Sequence, residues 1–388
     1  MIQKILTHKS KIIFATLFIT IITTVTMCCS WNPFKSKNFY WNHYLHDYAL
    51  VNFITNGSVI NNRLLCTVQQ GILIFDNLDT RPEIHTIVSM TSGYDYKPIL
   101  TEGIVAYVPS FQNEHIMFAR NFTGLGIPES LNGIFPSDFG EQFQDYSFRL
   151  IKNRQLDIGI FHGNRFITFI SRFTSNVTGE HDCHIVYADL ELDENYRIVI
   201  TNSGFWEVQS MQEDGGIRIH SIISYKNSVF FTHSRDHHLV EITDNGIIKE
   251  TPSPFGQEAI VTFFQYQGYL CAQLNTTRVV YTSDGENWYQ AANRLEPLYY
   301  EFYEIDEYLF MHLNGTVVFL TGDITNLRFY ELPTENMFGF NISSINKFND
   351  NLVVTTSQGL FYIPWKNIDK DKILIGSANE GPIHFQGE

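Results

Sequence analysis

Residues 266–288, YQGYLCAQLNTTRVVYTSDGENW, carry the reading on which the fold turns. Two apolar runs, Tyr269 to Ala272 and Val279 to Tyr281, are rich in β-branched and aromatic residues. They are separated by polar Asn275, Thr276 and Thr277, the composition of two paired strands and their connection. Thr282-Ser283-Asp284-Gly285-Glu286-Asn287-Trp288 then closes the unit as a turn. Looser copies of this hairpin recur along the chain.

Hairpins of the same kind open near Asn62, Gly103, Asn164, Asn227, Gly268, Glu307 and Asn351, at spacings of 41, 61, 63, 41, 39 and 44 residues. Most of these intervals match the ~40 to 45 residues of a four-stranded propeller blade. The extra length of the two long intervals is placed in Gly124 to Gln144, which holds Pro128 and Pro136, and in the polar stretches Arg172 to Asp182 and Glu191 to Glu213. No segment after residue 51 sustains apolar residues at helical spacing over three turns. Hairpins at fixed period without crossover helices suit radial closure, because one blade cannot bury its own faces and a ring leaves no long edge. The expected fold is an all-β, single-domain β-propeller of about seven four-stranded blades over residues 52–375; the long intervals are also compatible with six or eight. A lead-in strand or linker occupies 31–51 and a tail occupies 376–388.

Thr282-x-Asp284-Gly285-x-x-Trp288 resembles the Asp-box, or BNR repeat, found between the third and fourth strands of sialidase-like and related propellers. The resemblance implies a structural role. An Asp carboxylate and a Thr hydroxyl satisfy turn amides, Gly takes a conformation other residues resist, and Trp packs between neighbouring strands. Ser357-Gln-Gly359-Leu360 and Leu320-Thr-Gly322-Asp323 are partial copies that keep only a Gly. In families that carry the motif it lies on the rim, away from the active site.

The 388 residues are 44% hydrophobic and 15% aromatic, with 32 Phe and 20 Tyr, ample material for a core. The formal net charge is −15, a sign that repels nucleic acid and anionic membrane surfaces, which are bound through clustered Lys and Arg. At the N-terminus Lys4, Lys9 and Lys11 precede the uncharged run Ile12 to Cys29, the pattern of a signal peptide over residues 1–30. Cys28 and Ser30 fit a cleavage site before Trp31; a retained anchor spanning 12–29 and a lipid-modified Cys28 or Cys29 are the alternatives. Each sends the folded part out of the cytoplasm, to a secreted, periplasmic or cell-surface location. Cys66, Cys183 and Cys271 remain, an odd count that argues against a disulfide framework, though one bridge is allowed. Asn-X-Ser/Thr sites stand at Asn56, Asn121, Asn176, Asn275, Asn314 and Asn341 without establishing a glycosylating host.

Three function classes compete. A glycosidase of the sialidase type, raised by the resemblance, holds its substrate carboxylate with three Arg and uses a Tyr nucleophile, a Glu and an Asp acid. Its first Arg stands in an aromatic-Arg-Ile-Pro sequence; Asn62-Arg63-Leu64 and Phe148-Arg149-Leu150 are the nearest approaches and lack the Pro. Tyr299, Tyr300 and Glu301 offer a Tyr and Glu pair, or plain packing. For metal binding, the densest clusters are His181-Asp182-Cys183-His184 and His233 to His238, neither with the spacing of a zinc motif. On a strand His181 and Cys183 would share one face while His184 points away; the second cluster reads as a solvated turn. The acidic runs Asp189 to Glu194 and Glu304 to Glu307 lack the calcium-loop pattern and read as exposed loops. Elbow, phosphate-loop and His-Glu-x-x-His motifs are missing, so no cofactor, metal or catalytic residue is assigned. An interaction scaffold asks least of the sequence: aromatic loops such as Phe135 to Phe148 and Phe338 to Phe340 could meet a sugar or a protein, or belong to the core. The reading is an exported scaffold binding a protein or carbohydrate ligand, with a diverged sialidase-like glycoside hydrolase as the alternative.

Overall fold

The computed structural model describes residues 41–44, most of 54–86, short strands between 96 and 119, and most of 132–377. The expected signal segment 1–30, with Cys28, Cys29 and the 12–29 run, lies outside the described residues, as do Tyr299, Tyr300, Phe338, Asn121, Asn176 and Asn314.

The blade is the unit of construction, and burial explains its sequence. The second strand of blade 4, Ser228–His233, is buried at every position, and Arg63–Val68 in blade 1 is buried at all but its first. Both faces of such a strand meet a neighbouring sheet, so its side chains form a continuous apolar run rather than an alternation. The outermost strand Ile248–Thr251 alternates, because only one of its faces is covered.

Each blade is an antiparallel meander numbered from the inside outward. Blade 1 comprises Ile54–Ile60, Arg63–Val68, Gly71–Phe75 and Glu83–Thr86; blade 2 comprises Ile99–Thr101, Ile104–Tyr107, Ile116–Ala119 and Asn132–Ile134. Blade 4 runs Ile219–Tyr225, Ser228–His233, Leu239–Thr243 and Ile248–Thr251, and blade 5 Ile260–Tyr266, Tyr269–Leu274, Arg278–Thr282 and Tyr289–Arg294. Blade 6, Phe302–Ile305, Tyr308–Leu313, Thr316–Thr321 and Arg328–Leu332, gains a fifth strand, Ile373–Ser377, along its outer edge. Blade 3 departs from the pattern. Ser147–Arg149 and Ile160–His162 share its innermost position against Arg165–Phe173. Its outer pair, His181–Leu192 and Ile198–Trp206, has 12 and 9 residues and a register shift between Asp189 and Leu190.

The repeat that opens at Asn351 has three strands of its own, Ile342–Phe348, Asn351–Thr356 and Gly359–Pro364, and takes its fourth, Asn42–Tyr44, from the lead-in segment. Six blades therefore come from contiguous sequence, where the spacing predicts about seven; the last hairpin is completed across the chain ends into a composite closing sheet. Counting hairpin openings overshoots because it cannot tell a blade from a three-stranded remainder.

Neighbouring sheets are stitched at the turn that follows each first strand. Tyr225 Oη donates to Ser283 O of blade 5 at 3.2 Å, and Tyr266 Oη to Gly322 O of blade 6 at 2.9 Å. Asn349 of the closing sheet donates to Asp76 O of blade 1 at 3.1 Å. Ser343 Oγ to Ile54 O (3.0 Å) and Asn346 Nδ2 to Gly57 O (3.2 Å) complete the join between the ends of the ring. Trp41, 2% exposed, ties the lead-in segment to blade 6 through its indole N–H and Pro333 O at 2.9 Å. Cys66, Cys183 and Cys271 are free and buried. Burial pushes the Cys66 and Cys271 thiols far above their ordinary range.

Candidate functional site

The turn read from the sequence joins the third and fourth strands of blade 5. Thr282 is buried, and its hydroxyl accepts the amides of Asp284 (3.2 Å) and Gly285 (2.9 Å) while donating to Asp284 Oδ1 (2.8 Å), which uses all three of its bonding positions. Asp284 Oδ1 also accepts the amides of Glu286 (2.9 Å) and Asn287 (2.8 Å), and Oδ2 accepts Asn287 Nδ2 (2.7 Å). The Asn287 side chain, the Asn287 and Glu286 amides and the Thr282 hydroxyl together hold the Asp284 carboxyl far below the usual carboxylate range. Gly285, at φ +83°, faces Phe230 of blade 4 so closely that a Cβ would lie 2.6 Å from the ring. Trp288 is only half-buried. It stands edge-on to Phe255 at 5.4 Å, donates to Gly285 O at 3.2 Å and packs from the rim against the apolar cluster shared by blades 4 and 5.

Equivalent turns in other blades use the same chemistry with different residues. Asn77 Oδ1 accepts the amides of Asp79 and Thr80, each at 2.9 Å, and Asp323 Oδ1 accepts Thr325 N (2.9 Å) and Oγ1 (2.6 Å). Gly322 sits in such a turn, but Ser357 to Gly359 does not: it joins a second strand to a third, at the opposite end of its sheet.

Several sequence expectations change. Phe139, Phe143, Tyr146 and Phe148 are 4%, 2%, 8% and 3% exposed and cover one face of blade 3; only Phe135, at 48%, is available to a ligand. In the His181 cluster, Asp182 bridges His184 (3.0 Å), Arg172 (3.5 Å) and the Tyr146 hydroxyl, while Cys183 turns into the core. Burial and the Asp182 carboxylate push the Tyr146 phenol up to about 12. His233 is fully buried and stacks on half-buried His238 at 6.0 Å, so neither belongs to a solvated tip; 234–237 lie outside the described residues. The acidic runs are strand and turn: Asp189 pairs with Arg165 at 2.6 Å within a strand, and Glu304 lies in the strand Phe302–Ile305, with Asp306 and Glu307 in the turn that follows. Arg63 is engaged by Asp76 at 2.7 Å beside a first hairpin turn, whereas Glu301 precedes a first strand, so the two stand at opposite ends of their blades. Among the described residues no three metal-ligating side chains come together.

Sequence reasoning missed a recurring buried pair on the inner strands. The first strand bulges after Ile54, Ile219, Ile260 and Ile342, and the polar residue two places on faces a polar partner: Asn56 with Thr67, Ser221 with Thr232, Thr262 with Gln273, Ser344 with Thr355. All eight are buried. Ile-x-Asn/Ser/Thr followed eleven residues later by Thr or Gln was the available signal.

The sequence also left unmarked a cavity of about 560 Å³ on the outer part of blades 3 and 4, lined by Glu207, Gln209, Ser210, His238, Ile248 and Glu250. Glu207 follows the outermost strand of blade 3, whose residues Val199 and Ile200 are 36% and 37% exposed. Gln209 and Ser210 open the single-turn helix Gln209–Gln212, and their amides donate to Glu250 Oε1 (2.6 Å) and Oε2 (2.9 Å) from blade 4. Burial pushes the Glu250 carboxyl up, but the Ser210 hydroxyl, the two amides and His238 outweigh it and leave the group below its ordinary range. Ser210 Oγ lies 2.9 Å from His233 Nε2. His238 Nδ1 is buried with no hydrogen-bond partner among the described residues.

No protein-family model and no curated protein sequence matches the chain. Solved structures do resemble it. A streptogramin B lyase superposes with TM-score 0.51 at 14% identity, covering 87% of this chain and 98% of that one. PorZ, a surface component of the type-IX secretion system of Porphyromonas gingivalis, gives 0.50 at 11% identity over 89% of this chain but only 40% of its own length. YCF48 from Cyanidioschyzon merolae gives 0.50 at 10% identity, covering 85% and 100%. These neighbours are β-propellers, and at such identities the likeness shows the fold alone: an all-β propeller with four-stranded blades.

Proposed function

We propose that this chain is an exported β-propeller that binds a protein or glycan partner through its rim and is non-catalytic. The observation that carries the reading is the outer pair of blade 3. Arg165, the first residue after the first hairpin turn, pairs with Asp189 of the third strand, so Leu190–Leu192 and Ile198–Ile200 run past the start of the second strand as a two-stranded ribbon. Val199 and Ile200 are exposed on it, and the same edge strand leads into the polar cavity. A nine-residue strand at a sheet edge with exposed apolar side chains offers backbone groups and contact area to a partner. Blade 6 supports the idea, since its edge already accepts the added strand Ile373–Ser377. PorZ, a surface component of a bacterial secretion system, is the parallel for a role of this fold at a cell surface. Within the same proposal, residues 1–30 are the export signal, 52–375 the single propeller domain, and Thr282, Asp284, Gly285 and Trp288 an Asp-box that stiffens blade 5.

The test is cross-linking on intact cells that express the full chain or its Val199→Asp, Ile200→Asp double variant at equal surface abundance. A cross-linked partner that disappears with the double variant supports the reading. The same partner retained at full yield, or a chain found inside the cytoplasm, overturns it.

A further inference from the structure

We propose that the cavity between blades 3 and 4 receives one lysine or arginine side chain, carried by an extended segment of a protein partner; this rests on the rim-binding reading above. Two carboxylates face the cavity, which disfavours an anionic ligand and favours a cationic one. Glu250 is a fixed acceptor: its two oxygens each take one amide, from Gln209 at 2.6 Å and Ser210 at 2.9 Å. A carboxylate has about four lone-pair sites; two take these amides and another the Ser210 hydroxyl, so one is left for a single N–H of a guanidinium or ammonium.

The other walls fit the same guest. Ile248 offers an apolar surface to the methylene stem, which long basic side chains bury while their charged head stays on polar groups. His238 Nδ1, without a partner among the described residues, can accept a further N–H when the ring is neutral. Glu207 adds negative charge at the end of the exposed edge strand, so a segment lying along that strand would bring its side chain to this point. A divalent metal fits less well: it requires several oxygen ligands without competing donors, and among the described residues no set of three ligating groups is present. The chain's net charge of −15 favours the approach of a basic partner.

The probe is a terminally blocked heptapeptide of alternating Ser and Thr with Arg, Lys, Gln or Glu at its centre, titrated against the full chain by calorimetry. Arg and Lys peptides should bind about tenfold more tightly than the Gln peptide, the size expected of hydrogen bonds between charged groups, and the Glu peptide most weakly. Glu250→Gln and Glu207→Gln should each erase that preference. Because Glu250 also holds Gln209 and Ser210, the Glu207→Gln variant, which removes an exposed carboxylate, keeps the test independent of folding. Equal affinity for Arg and Gln peptides, or a preference that survives both substitutions, overturns the proposal. A preference that emerges only in an Arg235→Gln variant also overturns it, since the chain's own loop would then be the occupant. Failure of the rim reading looks different: partner capture would survive Val199→Asp with Ile200→Asp while the peptide preference stays intact.

Discussion

Gly285→Ala tests the contact that joins blade 5 to blade 4. The residue adopts φ +83°, where an L side chain costs about 1–2 kcal/mol. Its new Cβ would lie 2.6 Å from Phe230 Cζ and 3.0 Å from Cε1. Phe230 is 2% exposed, in a cluster with Tyr225, Leu239, Phe263 and Leu270. The ring therefore has no empty space to enter, and relief requires off-rotamer side chains or backbone shift at about 1–3 kcal/mol. The sum is about 2–5 kcal/mol, read as a lower urea midpoint at unchanged slope. Gly256→Ala is the matched control, because that glycine has φ +69° and nothing within 4 Å of an added Cβ, so it reports the backbone contribution alone. Adding Phe230→Leu to Gly285→Ala should recover part of the steric cost, a coupling that a double-mutant cycle isolates. If Gly285→Ala costs no more than Gly256→Ala, within about 0.5 kcal/mol, the packing of this turn on the neighbouring blade is wrong.

Closure of the ring predicts that Trp41→Ala, at a 2%-exposed residue 292 positions from its partner Pro333, costs about 3–5 kcal/mol in a denaturant melt; a loss below about 1 kcal/mol would remove the lead-in segment from the fold. Tyr266→Phe deletes the hydroxyl that reaches Gly322 O at 2.9 Å and Glu307 O at 3.3 Å, and should destabilise by about 1–2 kcal/mol; no change would show that water replaces the link. Asp284 has a depressed carboxyl in the fold, so it stabilises above the ordinary value of ~3.9 and that contribution fades as pH falls through the folded value. The melting-temperature gap between wild type and Asp284→Asn should therefore narrow as pH is lowered below ~4, and parallel curves would refute the assignment. Trp288→Ala should cost about 1–2 kcal/mol, less than the removal of a fully buried ring, because Trp288 is half-buried where it packs on Phe255 and the cluster shared by blades 4 and 5; a loss above about 4 kcal/mol would show a ring as buried as the core.

The hairpins were legible because their information is local. Each opening read from the sequence, from Asn62 to Asn351, falls beside the start of a second strand, where turn residues and a continuous apolar run coincide. Lys226, Gln267 and Asp306 take positive φ in those turns although none is Gly. A search for Gly or Asn-Gly alone would have missed them, yet the apolar runs on either side betray the strands. The bonds that the Thr282 and Asp284 side chains make were legible because their partners lie within five residues, whereas the donation from Tyr225 to Ser283 O was not. Its partial copy at Ser357 misled because the same letters serve a turn at either end of a blade.

The sequence by itself thus determined strands, turn chemistry and the repeat, all set by neighbours a few residues apart. What only the tertiary structure decided depends on residues far apart in the chain. Asn42–Tyr44 completes a sheet more than three hundred residues downstream, so closure and the number of contiguous blades were invisible to a repeat count. Phe139 and Phe143 look like loop anchors until blade 3 covers them, since burial belongs to the surrounding sheets and not to the side chain. The cavity joins Glu207 to Glu250 across two blades; neither carboxylate carries a motif, and only the packing of one meander beside the next makes them one site.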